Sequence, residues 1–408
     1  MFSTILLALT LTAQGGERSM NTVLSDGRAT LTVTREATGL ILRLEDAQTG
    51  RVWADGPYAY WLTLLADGAD KEHRGLSEIR LRRTSRGVTI SGRVTGTDIS
   101  VLHRLELASD RLLERITLRN AGSKRADIAD VGMGFTKRLG PDTGDRRLVA
   151  VPFRRQVDGK LHDYSRDDLL ESRFSNSDWR NDFSVGDQQC VDVGKLRSEA
   201  WAWTDGTAGL LVAKYNDDAI ENSVAAVEDV PEGRALRFGG AGLSLYREPR
   251  AATSMASGAS FAFGTTEYQL YTGGWEPAYE RYRTFLERKG HGIPPDYSPP
   301  FTWNELFDVG WYHSNRELLA RHYTREALLK EAAKAAEIGC ELLYLDPGWE
   351  VCEGTTLWDT ERLGTVSDFA AELRTKYGLR LGYRTIGRVY RDEFPNEWYV
   401  RRPGMTGP

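Results

Sequence analysis

The sequence changes its period once, and that change divides the chain into an all-β part and an alternating α/β part. The run Ile293-Pro-Pro-Asp-Tyr-Ser-Pro-Pro300 marks the break. Proline lacks a backbone donor and fixes φ, so neither a helix nor a strand continues through it. Upstream, short segments alternate apolar and polar residues with a period of two. Examples are Arg28–Thr34, Leu40–Leu44, Gly87–Val94, Ser100–Leu107 and Arg111–Leu118, with turn signals such as Arg119-Asn-Ala-Gly122 between them. This rhythm predicts a large antiparallel β-sandwich. The polar stretch from Asp158 to Asp192 reads as a long loop region.

Near Trp275 the spacing becomes helical. Ala278, Tyr279, Tyr282, Phe285 and Leu286 share one face, and Gly290 suits the end of the helix. After the prolines, strand and helix alternate. Phe301–Phe307 is a first strand, and Thr324 caps a helix whose apolar face holds Leu328, Leu329, Ala332, Ala335 and Ala336. Glu341–Asp346 is a second strand, nearly continuous in its apolar residues, as parallel strands covered on both faces are. Ser367 caps a second helix that ends at Gly378, and Leu379–Thr385 is a third strand.

The expected fold is therefore multidomain, β plus α/β: the sandwich, then the first three strands of a (β/α)₈ barrel. A whole barrel takes ~250 residues, whereas about 110 follow the prolines, so the expectation is an incomplete barrel. A small α/β domain that ends naturally at Pro408 is the alternative. The expected organisation is 1–18 signal peptide, 19–274 sandwich, 275–299 linker helix and proline-rich connection, and 300–408 barrel. The apolar run Phe2–Leu11 suggests the signal peptide and a secreted or periplasmic location, although no Lys or Arg precedes it. An N-terminal strand is the other reading.

Composition narrows the chemistry. With 53 basic and 58 acidic residues and no basic block, nothing points to nucleic acid or to a membrane surface. Eleven Trp and 17 Tyr suit aromatic cores and also the flat faces that sugars stack on. Cys190, Cys340 and Cys352 form no disulfide framework, and Cys340 reads as a small core residue. The six His show no metal-ligand spacing, and no phosphate-binding glycine loop, serine nucleophile elbow or HExxH motif occurs. No cofactor is expected.

In parallel α/β barrels function gathers at the C-terminal ends of the strands. Here those ends are Trp303–Glu305, Asp346–Glu350 and Arg384–Arg388. Asp346 reads as an acceptor for substrate hydroxyls or as a cap within its turn. Trp349 and Trp303 either stack on a sugar ring or fill a core. Arg384 either binds a polar substrate group or pairs with Asp346. Glu350, Glu353, Asp359 and Glu361 read as solvated loop charges.

The sandwich, the helix, the Pro300-Phe-Thr-Trp-Asn304 opening and Leu343-Tyr-Leu-Asp-Pro-Gly-Trp349 together resemble glycoside hydrolase family 36, the melibiase-type α-galactosidases. In that family a strand ends in two aspartates followed by Gly-Trp, and the aspartates bind sugar hydroxyls. Asp346, Gly348 and Trp349 match, while Pro347 replaces the second aspartate. Thr385-Ile-Gly-Arg-Val389 replaces a Glu-Pro-Glu segment. The resemblance implies a retaining α-glycosidase whose two carboxylates stand about 5–5.5 Å apart. The family nucleophile, in a Lys-x-Asp motif, belongs to a later strand, so no catalytic residue is assigned in this chain, which alone is expected to be inactive. The implied partner is an oligosaccharide or glycoside, and relatives of this kind often self-associate through the sandwich. A non-catalytic carbohydrate-binding protein and a glycosyl-transferring relative are the competing functions.

Overall fold

The computed structural model describes residues 21–37, 39–108, 110–151, 156–157, 160–161, 163–171, 195–215, 223–231, 233–242, 253–310, 315–351 and 354–385. The proposed signal peptide, Cys190, Cys352, Glu353 and the segment from 386 onward lie outside them. The chain forms two compact units, Met1–Gly292 and Ile293–Pro408.

The first unit is built of antiparallel sheets. A ten-stranded and a seven-stranded sheet dominate it among the described residues, beside a four-stranded sheet made by residues 21–54. Period-two alternation sends Val88, Ile90, Leu112 and Ile116 of the larger sheet inward. There they meet Leu62, Val131, Phe135 and Phe238 of the seven-stranded sheet in one apolar core. The expected strand Gly87–Val94 forms with those same bounds. Within the expected loop region, Asp163–Ser165 is a strand and Arg166–Leu170 a helix capped by Ser165.

The helix Glu276–Arg288 packs within this unit, and the division between units falls after Gly292. Its Ala278, Tyr282 and Phe285 pack on Val149, Val151, Ala202, Leu211 and Tyr271. Those residues alternate with Leu148, Ala150, Trp201, Trp203 and Leu210, which face the inter-sheet core. This part of the larger sheet is thus covered on both faces, which explains its nearly unbroken apolar sequence.

The sandwich core also holds a polar cluster. Glu114 is buried and accepts hydrogen bonds at Oε1 from Tyr58 (2.5 Å) and at Oε2 from the Gly240 N–H (2.8 Å) and Tyr268. His103 Nε2 lies 2.8 Å from Glu114 Oε1, and its Nδ1 lies 2.7 Å from the Tyr60 hydroxyl. Burial pushes the Glu114 carboxyl up, but the bonds from His103, Tyr268 and Tyr58 outweigh it and hold the group below its usual value.

In the second unit, three parallel strands lie in the order Thr302–Asn304, Leu342–Leu345, Arg380–Tyr383. The first is shorter than expected. Asn304 Oδ1 accepts the Leu306 N–H at 2.9 Å, and Leu306–Val309 turns into a helix. Thr324 caps the helix Arg325–Glu337 by accepting the Ala327 N–H at 3.2 Å. The helix expected from Ser367 is capped by Thr365 instead, which accepts the Asp368 N–H and starts Val366–Glu372. Leu373–Tyr377 continues as a π-turn that Gly378 closes in the left-handed region. Leu343, Leu345, Leu328, Ala332 and Ala335 form the core between sheet and helices, and buried Cys340 joins it.

Candidate functional site

Strand register decides which side chains share a face. Asn304 stands opposite Tyr344, and Tyr344 opposite Gly382. Leu343 and Leu345 point to the helices, so this row lies on the other face, and Asp346 and Arg384 continue it one step past the strand ends. These side chains meet. Asn304 Nδ2 donates to Asp346 Oδ2 at 3.1 Å, and Arg384 Nη1 donates to Asp346 Oδ1 at 3.1 Å. Asp346 is 9% exposed.

Behind Asp346 sits Glu305, fully buried. Its Oε1 accepts the Asp346 N–H at 2.9 Å, and Oε2 accepts the same group at 3.2 Å. The Tyr323 hydroxyl donates to Oε1 at 2.7 Å. Burial, only partly offset by these bonds, pushes the Glu305 carboxyl up to about 7. Burial together with the nearby Glu305 carboxylate drives the Tyr323 hydroxyl well above its usual value. Burial, with Asp346 close by, raises Tyr344 as well.

The turn after Asp346 is fixed from within. Gly348 adopts φ +138°, and a Cβ there would meet the Tyr323 ring at 2.8 Å. Glu350 is buried, contrary to its reading as a solvated charge, because its carboxylate closes its own loop. It accepts N–H groups from Gly354 at 3.2 Å and Thr356 at 3.1 Å. Arg362 donates to the carbonyls of Tyr323 and Gly348, each at 2.6 Å, and to Asp359, which caps the short helix Thr360–Leu363. Glu361 lies at the surface.

Of the two tryptophans, Trp349 lies in the core and Trp303 is half-buried against it. Trp349 is 1% exposed, donates its indole N–H to the Arg384 carbonyl at 3.0 Å, and packs on Tyr383 with centroids 4.5 Å apart. Trp303, in register with Leu343, lies on the helix side and donates to Glu331 at 3.0 Å. Neither presents an open face beside Asp346. Of the residues expected at the site, Asp346 and Arg384 come together. Asn304, Glu305 and Tyr323 complete the cluster and were not singled out by sequence; the sign available was an Asn-Glu pair closing the first strand.

No family model and no curated protein matches the chain. Solved structures do. An α-galactosidase from Lactobacillus brevis matches with a TM-score of 0.53 and 12% identity over 90% of this chain and 55% of that one. The glycoside hydrolase family 36 α-galactosidase AgaA of Geobacillus stearothermophilus, in complex with 1-deoxygalactonojirimycin, matches with 0.53 and 12%, over 89% and 56%. The galactosidase domain of the α-galactosidase–sucrose kinase AgaSK matches with 0.55 and 11%, over 88% and 55%.

The fold is GH36-like.

The chain spans about half the length of each of these enzymes. Its large antiparallel sandwich corresponds in fold to the N-terminal β-sandwich region of these structures. Among the described residues, no helix is long and apolar enough to cross a membrane, and no group of three or more His, Cys, Asp and Glu is placed to hold a metal ion.

Proposed function

We propose that this chain supplies the sandwich and the opening strands of the catalytic barrel of a secreted retaining α-glycosidase, and that its strand ends bind the hydroxyls of an α-linked galactoside or a related sugar. One observation carries the reading. Asp346, the residue that matches the first family aspartate, is held at a parallel strand end by two side-chain donors and has its backbone N–H fixed by a buried carboxylate. Each carboxylate oxygen accepts more than one hydrogen bond, so Asp346 retains capacity for sugar hydroxyls while its orientation is set before a ligand arrives. Trp349 acts beneath the site by holding the Arg384 backbone, not as a stacking platform.

On this reading the nucleophile and the acid/base are not among Asp346, Glu305 and Glu350, whose carboxylates are engaged in holding the strand ends and the loop. The purified chain binds methyl α-galactoside and releases no sugar from nitrophenyl α-galactoside. The test is titration followed by ¹H–¹⁵N NMR, with the Trp349 indole signal assigned through Trp349→Phe. Binding that shifts this signal without hydrolysis supports the reading. Hydrolysis by the chain, or no shift with any glycoside, contradicts it. Secretion is tested by sequencing the mature N-terminus from culture medium.

A further inference from the structure

We propose that the outer face of the ten-stranded sheet is a binding surface for an acidic polysaccharide, held by arginines that strand register brings together. The surface lies in the sandwich and is independent of the strand-end reading above. In Leu76–Arg83, Gly87–Val94, Ile99–Ala108 and Arg111–Asn120, alternation sends residues such as Ile90, Val101, Leu105 and Leu118 into the core and their neighbours outward. Register then sets Arg82 opposite Thr89, Thr89 opposite Arg104, and Arg104 opposite Arg115. Arg80 and Arg119 lie on the same face, and all five arginines are exposed. Four separate strands supply them, so no basic block marks the surface in the sequence.

This arrangement works against the fold. Like charges directly opposite on antiparallel strands repel, and Arg104 faces Arg115. The sheet itself offers little to offset them. Facing out from Gly87–Val94, Ile99–Ala108 and Arg111–Asn120, only Glu106 is acidic, and it forms no ion pair among the described residues. The side chains of Arg80, Arg82, Arg104 and Arg119 make no hydrogen bond or ion pair among the described residues. Arg115 donates from Nε to the neutral Thr265 hydroxyl at 3.2 Å. Arg93, at the border of the face, is by contrast paired, with Asp98 at 3.2 Å and Glu78 at 3.9 Å. Unpaired positive charge so concentrated on a chain of net charge −5 fits an anionic partner.

The side chains between the arginines select its class. Thr89, Ser91 and Thr117 place hydroxyls among the guanidiniums, so acidic groups and sugar hydroxyls both find partners. The four strands contain no Phe, Tyr or Trp on which bases could stack. A flat sheet face enters neither groove of a duplex. Nor do these strands carry an exposed large hydrophobic residue that could enter a bilayer.

The experiment measures binding of polygalacturonate to the full chain by calorimetry, beside dextran, duplex DNA and phosphatidylserine vesicles. The wild type is expected to bind polygalacturonate most tightly and dextran not at all, and to lose at least about tenfold in affinity between about 50 and about 200 mM salt, as contacts that release counterions do. Arg82→Gln/Arg104→Gln/Arg115→Gln is expected to bind at least about tenfold more weakly at the lower salt, with a thermal midpoint equal or higher because the opposed charges are gone. Lys71→Gln/Lys330→Gln/Arg374→Gln removes the same charge from exposed positions elsewhere and is expected to bind as the wild type does. No polymer binding, an equal loss in both triple variants, or binding undone by methyl α-galactoside overturns the proposal. Tighter binding to DNA or to vesicles overturns the polysaccharide as partner. A dimer in sedimentation that the arginine variant abolishes overturns it too, and gives the face to a second copy of the chain. The arginine variant is expected to keep the wild-type affinity for methyl α-galactoside, so that this surface and the strand-end site stand or fail separately.

Discussion

The Glu305 carboxylate and the backbone N–H of Asp346 are joined by a hydrogen bond of 2.9 Å that links the end of the first parallel strand to the end of the second. A buried acceptor thereby fixes the direction in which the Asp346 side chain leaves the sheet. Its cost is the desolvation of Glu305, and the raised carboxyl value records it.

That cost gives a pH dependence with a definite sign. Burial raises the folded-state value of Glu305 from 4.5 to about 7, so between these limits the folded state holds a proton that the unfolded chain has released. Stability is highest below about pH 4.5 for this group and falls as pH rises toward 7, by about 3 kcal/mol at most. Glu305→Gln keeps an acceptor and removes the titration. It is expected to match the wild type near pH 5 and exceed it near pH 8 in urea denaturation of the second unit. A wild-type profile that rises over this range would contradict the account.

Gly348→Ala places a Cβ where the Tyr323 ring stands, at a φ of +138°. The expected loss is about 2 kcal/mol or more, from backbone strain and overpacking together. Differential scanning calorimetry checks it. A change under about 0.5 kcal/mol would mean that the turn yields easily.

In the sandwich, Glu114→Leu removes the acceptor shared by His103, Tyr58 and Tyr268 and leaves several buried donors without a partner. A loss of about 3–5 kcal/mol is expected at pH 7, as for breaking a buried ionic network from one side. Because the folded-state value of Glu114 is lowered from 4.5, its contribution is present above that pH and is lost as pH falls through the folded value. The gap between the wild type and Glu114→Leu therefore narrows as pH falls through the folded value, which a series of urea midpoints from pH 7 into acid measures.

Period and caps carried much of the fold into view. The strand Gly87–Val94 and the helix cap Thr324 need only local information: alternation in one, and a hydroxyl before an apolar run in the other. Ser367 failed where Thr365 succeeded because two hydroxyl residues two positions apart both precede the helical pattern, and geometry alone selects the one whose oxygen reaches the N–H three residues on. Asp346 and Arg384 were legible as strand ends. Glu305 was hidden because its partners are 18 and 41 positions away in sequence, and a carboxylate bound for the interior is written with the same letter as one on the surface. Glu350 was hidden for a different reason: the donors that bury it are backbone groups of its own loop. Trp303 and Trp349 were each open to two readings by residue type; the structure buries Trp349, and leaves Trp303 half-buried on the helix side.

The measurement that bears most directly on the central claim is the affinity of the chain for methyl α-galactoside before and after Asp346→Ala. The two donors it leaves, Asn304 and Arg384, are both partly exposed, while Glu305 and the backbone beneath are unaltered, so the fold is expected to survive, and circular dichroism checks it. The account predicts that affinity falls at least tenfold, by the order of one charged hydrogen-bonding group. Unchanged affinity in a folded Asp346→Ala protein would contradict it and place any sugar site elsewhere in the molecule.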